Sequence, residues 1–136
     1  MGDVADGELL YRSVRLSDVR QVDSVPRLSA SAFNDRDRKA SVDVASLRAS
    51  PGESKKNPLD GVAVLLTSEV RAVDLTVQKP PASYVVDVWL RPEPDNRAHA
   101  QIEPTPDLTG SRFDKLKEAL VILASRRQWE VIPGDG

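Results

Sequence analysis

Prolines interrupt this chain so often that they limit the length of its secondary-structure elements. Ten prolines are spread over 136 residues. Each one lacks a backbone N–H and fixes φ, so it disfavours helix interiors and central strands. Short elements are therefore expected along most of the chain. The exception is the proline-free segment Ser111–Arg127, which predicts one long helix. Its apolar residues recur on one face at helical spacing, at Phe113, Leu116, Leu120, Leu123 and Ala124.

Several other segments alternate apolar and polar residues, which is the period of a half-buried strand. The pattern is strongest at Tyr84–Leu90. Weaker examples are Leu9–Leu16, Ser41–Val44, Val73–Val77 and Ala98–Ile102. One further segment, Val62–Thr67, is apolar on both faces and is predicted to be a buried strand. The sequence therefore predicts an α+β fold: a mostly antiparallel, strongly bent sheet of about five to seven short strands, with one long C-terminal helix packed on it. We expect residues 1–136 to form one domain, with flexible tails at 1–8 and 133–136.

The composition excludes several classes of chemistry. The chain has no cysteine, which rules out disulfides, thiolate nucleophiles and cysteine-ligated metal sites. The N-terminus is acidic and lacks the pattern of a secretory signal, and no apolar run is long enough to span a bilayer. We therefore expect a cytoplasmic protein without membrane contact. The net charge of −2 disfavours non-specific binding of nucleic acid, which requires a concentrated basic face.

His99 is the only histidine, and histidine is the only side chain with an unperturbed pKa near neutrality. It is a candidate general base or ligand contact, although a hydrogen-bonded residue on the outer face of a strand is the simpler interpretation. A site built from two or three histidines is impossible. Asp35 and Asp37 lie two residues apart but lack the further oxygen ligand and glycine of a calcium loop. We expect no metal and no cofactor.

Trp89 is the candidate anchor for a protein partner. It shares a strand face with Val85 and Asp87, so it is either exposed or covered by the long helix. An exposed tryptophan is a typical interface residue, whereas large aromatic side chains are mostly buried. Arg36 and Arg38, in the charged loop before Ser41–Val44, complete the set of candidate binding residues.

The segment Leu10-Tyr11-Arg12, followed by the serines of the Ser29–Ser41 region, resembles the opening strand of the ADP-ribosyltransferase-like and RES-type domains. In that family an arginine or histidine on the first strand contacts NAD, and a later strand carrying serine or tyrosine completes the site together with a glutamate. The resemblance implies catalytic roles for Arg12, Ser41 and His99, with Glu69 as the glutamate.

A second resemblance spans most of the chain. Small uncharacterised bacterial proteins carry Tyr-Arg, Ser-Ala-Phe, Ser-Val-Asp and Ala-His-Ala-x-Ile in the same order. The corresponding residues here are Tyr11-Arg12, Ser31-Ala32-Phe33, Ser41-Val42-Asp43 and Ala98-His99-Ala100-Gln101-Ile102. This resemblance implies a bacterial, cytoplasmic protein and no particular activity.

These observations favour a small binding or accessory protein that acts without catalysis, through a protein partner or as a homodimer. Carboxylates, serines and arginines remain available, so the sequence leaves enzymatic activity open. The first alternative is an NAD- or nucleotide-using transferase, which requires Arg12, Ser41 and His99 to converge on one cleft. The second is an RNA-binding module, which requires one contiguous basic face. Its arginines would be Arg12, Arg15, Arg20, Arg36 and Arg38.

Overall fold

The computed structural model describes residues 2–78 and 81–134. Within these residues the chain forms nine strands and two α-helices. The strands are β1 (Leu9–Val14), β2 (Val19–Val22), β3 (Val25–Leu28), β4 (Ala40–Val44), β5 (Gly61–Leu66), β6 (Val77–Gln78), β7 (Pro81–Ala82), β8 (Val85–Leu90) and β9 (His99–Thr105). The helices are α1 (Thr67–Arg71) and α2 (Gly110–Ser125), and short 3₁₀ turns lie at Leu16–Asp18, Ala30–Phe33, Ala45–Leu47 and Pro51–Ser54.

Five of the strands form one open sheet in the order β5-β1-β4-β9-β8. Every neighbouring pair in this sheet is antiparallel. The remaining strands form two small ribbons, β2–β3 and β6–β7. The predicted α+β fold, with an antiparallel sheet and one long C-terminal helix, is confirmed.

The sheet has one apolar face, and its other face is polar on β1, β4 and β9 but apolar on β5, where Val62 and Val64 are buried. Residues directly opposite each other on antiparallel strands share a face. Asp43 lies opposite Tyr11 on one side and His99 on the other, and these three residues define the polar face. The core face carries the alternate, buried positions Leu10, Val14, Val42, Val44, Ala63, Leu65, Val86, Val88, Ala100 and Ile102.

Helix α2 supplies the second layer of the core. Its buried side chains Phe113, Leu116, Leu120 and Ala124 recur at the spacing that the sequence predicted. The helix contacts β3, β5, α1 and the Ala30–Phe33 turn. It buries its apolar side chains in the same hydrophobic cluster as the core face of the sheet.

Helix α1 contacts both β5 and β8, although these strands are the two opposite edges of the sheet. Its Val70 is fully buried. At the end of the helix, Arg71 Nε donates to Asp87 Oδ1 on β8 at 2.7 Å. Helix α1 therefore follows β5 directly in the chain and links it to β8 at the other edge of the sheet.

Residues 2–8, where the sequence favoured a flexible tail, contact the sheet. The backbone N–H of Gly2 donates to Asp87 Oδ2 at 2.6 Å, and Val4 is buried. At the other end, Gly134 N donates to Leu59 O at 2.8 Å. Residues 1, 135 and 136 of the predicted tails lie outside the described residues. None of the helices in the described ranges has the length and apolar character needed to cross a bilayer.

Candidate functional site

Arg12 lies on β1 at a core-face position, and its guanidinium is fully engaged within the protein. Nη1 and Nη2 donate to the two carboxylate oxygens of Asp35 at 3.1 and 2.7 Å. Nε and Nη2 also donate to Ala32 O, and Nη1 donates to Ser41 O. The guanidinium lies 5.2 Å from the centre of the Phe33 ring. Arg12 therefore joins β1 to the Ala30–Phe33 turn and to β4, and no donor nitrogen is left for a ligand.

His99 lies on the polar face, where one ring nitrogen is held by the backbone. Its Nδ1 lies 2.8 Å from Arg91 O. A carbonyl oxygen only accepts hydrogen bonds, so Nδ1 carries the proton. Nε2 makes no hydrogen bond with any described residue. Glu93 is the nearest carboxylate to Nδ1, at 4.0 Å.

The three residues of the transferase hypothesis do not meet in one cleft. Arg12 is on the core face of β1 and His99 is on the polar face of β9, as the pairing of Tyr11, Asp43 and His99 requires. Ser41 has its side chain on the polar face, two residues before Asp43, while its backbone carbonyl accepts from Arg12. Arg12 and Ser41 line one depression, and Ser41 and His99 line a second site that does not include Arg12.

That site is a polar cleft of about 230 Å³, which we call the His99 cleft. Buried Asp43 forms its floor and is the acceptor for three neighbouring side chains. Arg48 donates to it from Nε at 3.0 Å, Ser54 from Oγ at 2.7 Å and Asn96 from Nδ2 at 2.9 Å. Tyr11, Ser41 and His99 lie around this network. Ser41 and His99 are candidate site residues from the sequence, whereas Tyr11 and Asp43 are not. The alternation of apolar and polar residues in Leu9–Leu16 and Ser41–Val44 was the pattern that could have identified them.

The candidate binding residues occupy different surroundings. Trp89 is half-buried on the polar face of β8, opposite Gln101, with the Arg91 guanidinium 5.5 Å from its ring centre. Helix α2 packs on the other face, so it does not cover this ring. Arg36 is exposed in the loop before β4, and exposed Arg38 donates from Nη1 to Leu108 O at 3.1 Å.

The arginines of the RNA-binding alternative are interleaved with carboxylates. A depression of about 450 Å³ lies beside Arg12 and Arg36. Its charged lining residues are Arg12, Arg15, Arg36 and Lys56 together with Asp18, Asp35, Asp37 and Asp60. Arg12 is paired with Asp35, and Arg15 lies 3.5 Å from Asp18. This mixture of signs weakens the positive potential that a phosphate backbone requires.

The structure also has an apolar depression that the sequence did not predict. It lies between the β2–β3 hairpin and the end of α2 and has a volume of about 420 Å³. Its apolar lining consists of Val25, Pro26, Leu28, Ala63, Ala124, Trp129 and Ile132. The other lining residues are Arg27, Ser125, Arg126, Arg127 and Gln128. We call this surface the arginine-rimmed groove, because three arginines and no carboxylate line it.

Trp129 closes one side of the arginine-rimmed groove. Its Nε1 donates to Pro26 O at 3.0 Å across 103 residues of sequence. Val25 is 44% exposed and Ile132 is 52% exposed, so large apolar side chains face solvent at this surface. Arg127 Nη2 donates to Glu69 at 3.2 Å, while its buried Nε has no hydrogen-bond partner.

Comparison with known proteins gives no match: no family model fits the sequence, and no curated protein or solved structure is significantly similar to the chain. Among residues 2–78 and 81–134, no three histidine, aspartate or glutamate side chains are grouped so that they could hold a metal ion. The function is therefore inferred from the His99 cleft and the arginine-rimmed groove.

Proposed function

We propose that this chain is a binding or accessory protein that holds a segment of a protein partner in the arginine-rimmed groove. The observation that carries the proposal is the lining of the groove, an apolar floor with three arginines and no carboxylate. Buried aromatic residues and arginines are the typical anchors of protein interfaces. Exposed Val25 and Ile132 supply apolar area that a partner would remove from water.

The charge of the groove indicates the chemistry of the partner. The whole chain has more acidic than basic residues, 21 against 19, so a lining with arginines alone departs from the average surface. Arg27 and Arg126 form no ion pair with a described residue. A partner segment with apolar side chains flanked by aspartate or glutamate complements this pattern, because opposite charges across an interface favour the correct encounter.

The backbone of β3 favours binding through side chains over the addition of a strand. β3 is an edge strand of the two-stranded β2–β3 ribbon, and its residues line the groove. Pro26 has no N–H to donate to an added strand, and Trp129 already occupies its carbonyl oxygen. Strand addition depends on such main-chain hydrogen bonds. An amphipathic helix needs only a groove for its apolar face, so we propose a helical partner segment.

A peptide selection tests this proposal. A display library of helix-stabilised peptides would be selected for binding to the full chain. Two variants that alter the groove, Val25→Asp and Arg126→Glu, would be compared with matched exposed controls, Val85→Asp and Arg97→Glu. We expect enriched peptides with apolar residues at helical spacing and carboxylates beside them. Their binding would fall by about tenfold or more, ~1.4 kcal/mol, for each groove variant and stay unchanged for the controls.

Three results would contradict the proposal. The selection could enrich no peptide, it could enrich basic peptides, or it could enrich peptides that bind the groove variants as well as the wild type. Self-association that the groove variants abolish would identify a second copy of the chain as the occupant in place of a helical partner.

The observed geometry gives the two alternatives less support. The transferase hypothesis requires Arg12 and His99 in one cleft, and they lie on opposite faces of the sheet. The RNA-binding hypothesis requires a contiguous basic face, and two of its five arginines, Arg12 and Arg15, are paired with Asp35 and Asp18.

A further inference from the structure

We propose that the His99 cleft binds the oxyanion group of a small molecule, a phosphate or a carboxylate. This site is distinct from the arginine-rimmed groove, which contacts Ala63 on the core face of the sheet, and the inference does not depend on the function proposed there. It follows from which polar groups in the cleft are already bonded and which are not.

Three side chains in the cleft have unused hydrogen-bonding atoms. Tyr11 Oη, Ser41 Oγ and His99 Nε2 make no hydrogen bond with any described residue. The strand register places them around Asp43: Tyr11 and His99 lie directly opposite it on the two flanking strands, and Ser41 precedes it by two residues on the same face. None of the three is a buried atom that lacks a partner, so each is open to solvent and available to a ligand that enters the cleft.

The buried carboxylate of the cleft is already paired. Asp43 accepts hydrogen bonds from Arg48, Ser54 and Asn96. Glu53 Oε1 accepts from Ala49 N at 2.5 Å. Glu93 is on the Nδ1 side of His99, and 54% of its side chain is exposed. Asp43 therefore does not compete for the hydroxyl protons of Tyr11 and Ser41.

The available donors suit an anion. Two hydroxyl groups and the ammonium of exposed Lys56 line the cleft, and Arg48 lines it as well but is paired with Asp43. Charge-assisted hydrogen bonds to an oxyanion are shorter and stronger than neutral ones. Lys56 forms no ion pair with a described residue, so a neutral ligand would leave its charge unpaired.

The backbone fixes the orientation of His99 for this role. Because Nδ1 donates to Arg91 O, a second proton must bind at Nε2, which is the free ring nitrogen. An oxyanion favours that protonated form. The charged side chains that line the cleft with His99 are Asp43, Arg48, Glu53, Lys55, Lys56 and Glu93.

Nuclear magnetic resonance provides the test, because the chain has only one histidine and its imidazole signals report on the cleft alone. Inorganic phosphate and acetate would be titrated separately into the labelled full chain. We expect a saturable shift of the His99 signals with at least one of the two anions. Tyr11→Phe and Ser41→Ala should each weaken binding by about tenfold, equivalent to ~1.4 kcal/mol.

Thr105→Ala is the matched control, because it removes a hydroxyl from an exposed position on the same face of β9. It should leave binding unchanged. Saturation by phosphate alone would assign the site to phosphate groups, and saturation by acetate alone would assign it to carboxylates. A shift that rises linearly with both anions would overturn the inference. So would saturable binding that neither Tyr11→Phe nor Ser41→Ala weakens while both variants remain folded.

Discussion

At the scale of single residues, Arg12 shows how the fold accommodates a charged side chain on a core strand. It lies on β1 between the buried residues Leu10 and Val14, and its charge is paired with Asp35. Its partner Asp35 lies 23 residues away. No local pattern identifies that partner, because the pair forms only once the loop before β4 has folded over β1.

Replacing Arg12 should destabilise the protein, because it would leave Asp35 buried without its cation. The side chains of both residues are only 14% exposed, and breaking a buried pair by removing one partner costs about 3–5 kcal/mol. We expect Arg12→Ala to lower the free energy of unfolding by that amount. Arg12→Lys should also be destabilising, since lysine lacks the planar fork that serves Asp35 and two carbonyl groups.

Urea unfolding followed by circular dichroism measures this change. Arg97→Ala removes an arginine from an exposed site and should change the stability by no more than about 0.5 kcal/mol. If Arg12→Ala unfolds at the same urea concentration as the wild type, the structural role assigned to Arg12 is wrong, and a role in ligand binding would regain support.

At the scale of secondary-structure elements, helical period and strand alternation predicted α2 and most of the five-stranded sheet. They did not predict the β2–β3 hairpin, whose second strand contains Pro26. The structure has a tight turn there, with Asp23 and Ser24 at φ of 52° and 64°, and Pro26 lies on the outer strand of a two-stranded ribbon. Edge strands tolerate proline because its missing N–H can face away from the partner strand.

The segment Val73–Val77 is a second failure at this scale. Its alternation predicted a half-buried strand, yet only Val77 enters a strand, in the β6–β7 ribbon. Leu75 is buried in the common hydrophobic cluster without forming part of the main sheet. Alternation reports which side chains are buried, and it does not reveal whether a neighbouring strand is present to pair with.

Helix α1 connects the two edges of the sheet through a pH-dependent contact. Burial raises the pKa of Asp87, but hydrogen bonds from Arg71 and from the backbone N–H groups of Gly2 and Val88 outweigh it, so the pKa lies below the ordinary value. A carboxyl group with a lowered pKa in the folded state stabilises the protein above its unfolded pKa, which is ~3.9 for aspartate. That contribution is lost as the pH falls through the lower, folded pKa.

We therefore expect Asp87→Asn to be less stable than the wild type at neutral pH. The difference should shrink as the pH falls below ~4, where the carboxyl group becomes protonated in the unfolded and then in the folded state. Urea unfolding of both proteins across this pH range checks the prediction. A difference that stays constant down to the lowest pH would show that the Asp87 contacts contribute no charge-dependent stability.

At the scale of the whole molecule, the sequence predicted the fold class but neither functional surface in full. The arginine-rimmed groove unites Pro26 with Trp129, which are 103 residues apart, and the order β5-β1-β4-β9-β8 is not readable from the pattern of any one strand. Two residues of the His99 cleft, Ser41 and His99, are also candidates from the sequence. The resemblance grouped Arg12 with them, and the structure places Arg12 on the opposite face of the sheet from His99.

The arginine-rimmed groove is proposed to hold an acidic, apolar helical segment of a partner protein. The most direct test is to place a photoreactive amino acid at Val25 in the full chain, cross-link it in the native host and identify the attached peptide by mass spectrometry. The same residue at Val85, which is 66% exposed and lies outside the groove, is the control. The account predicts a product specific to position 25, attached to an amphipathic segment that contains carboxylates, and lost in Arg126→Glu. Equal cross-linking from both positions, a basic segment, or a product that survives Arg126→Glu would contradict it.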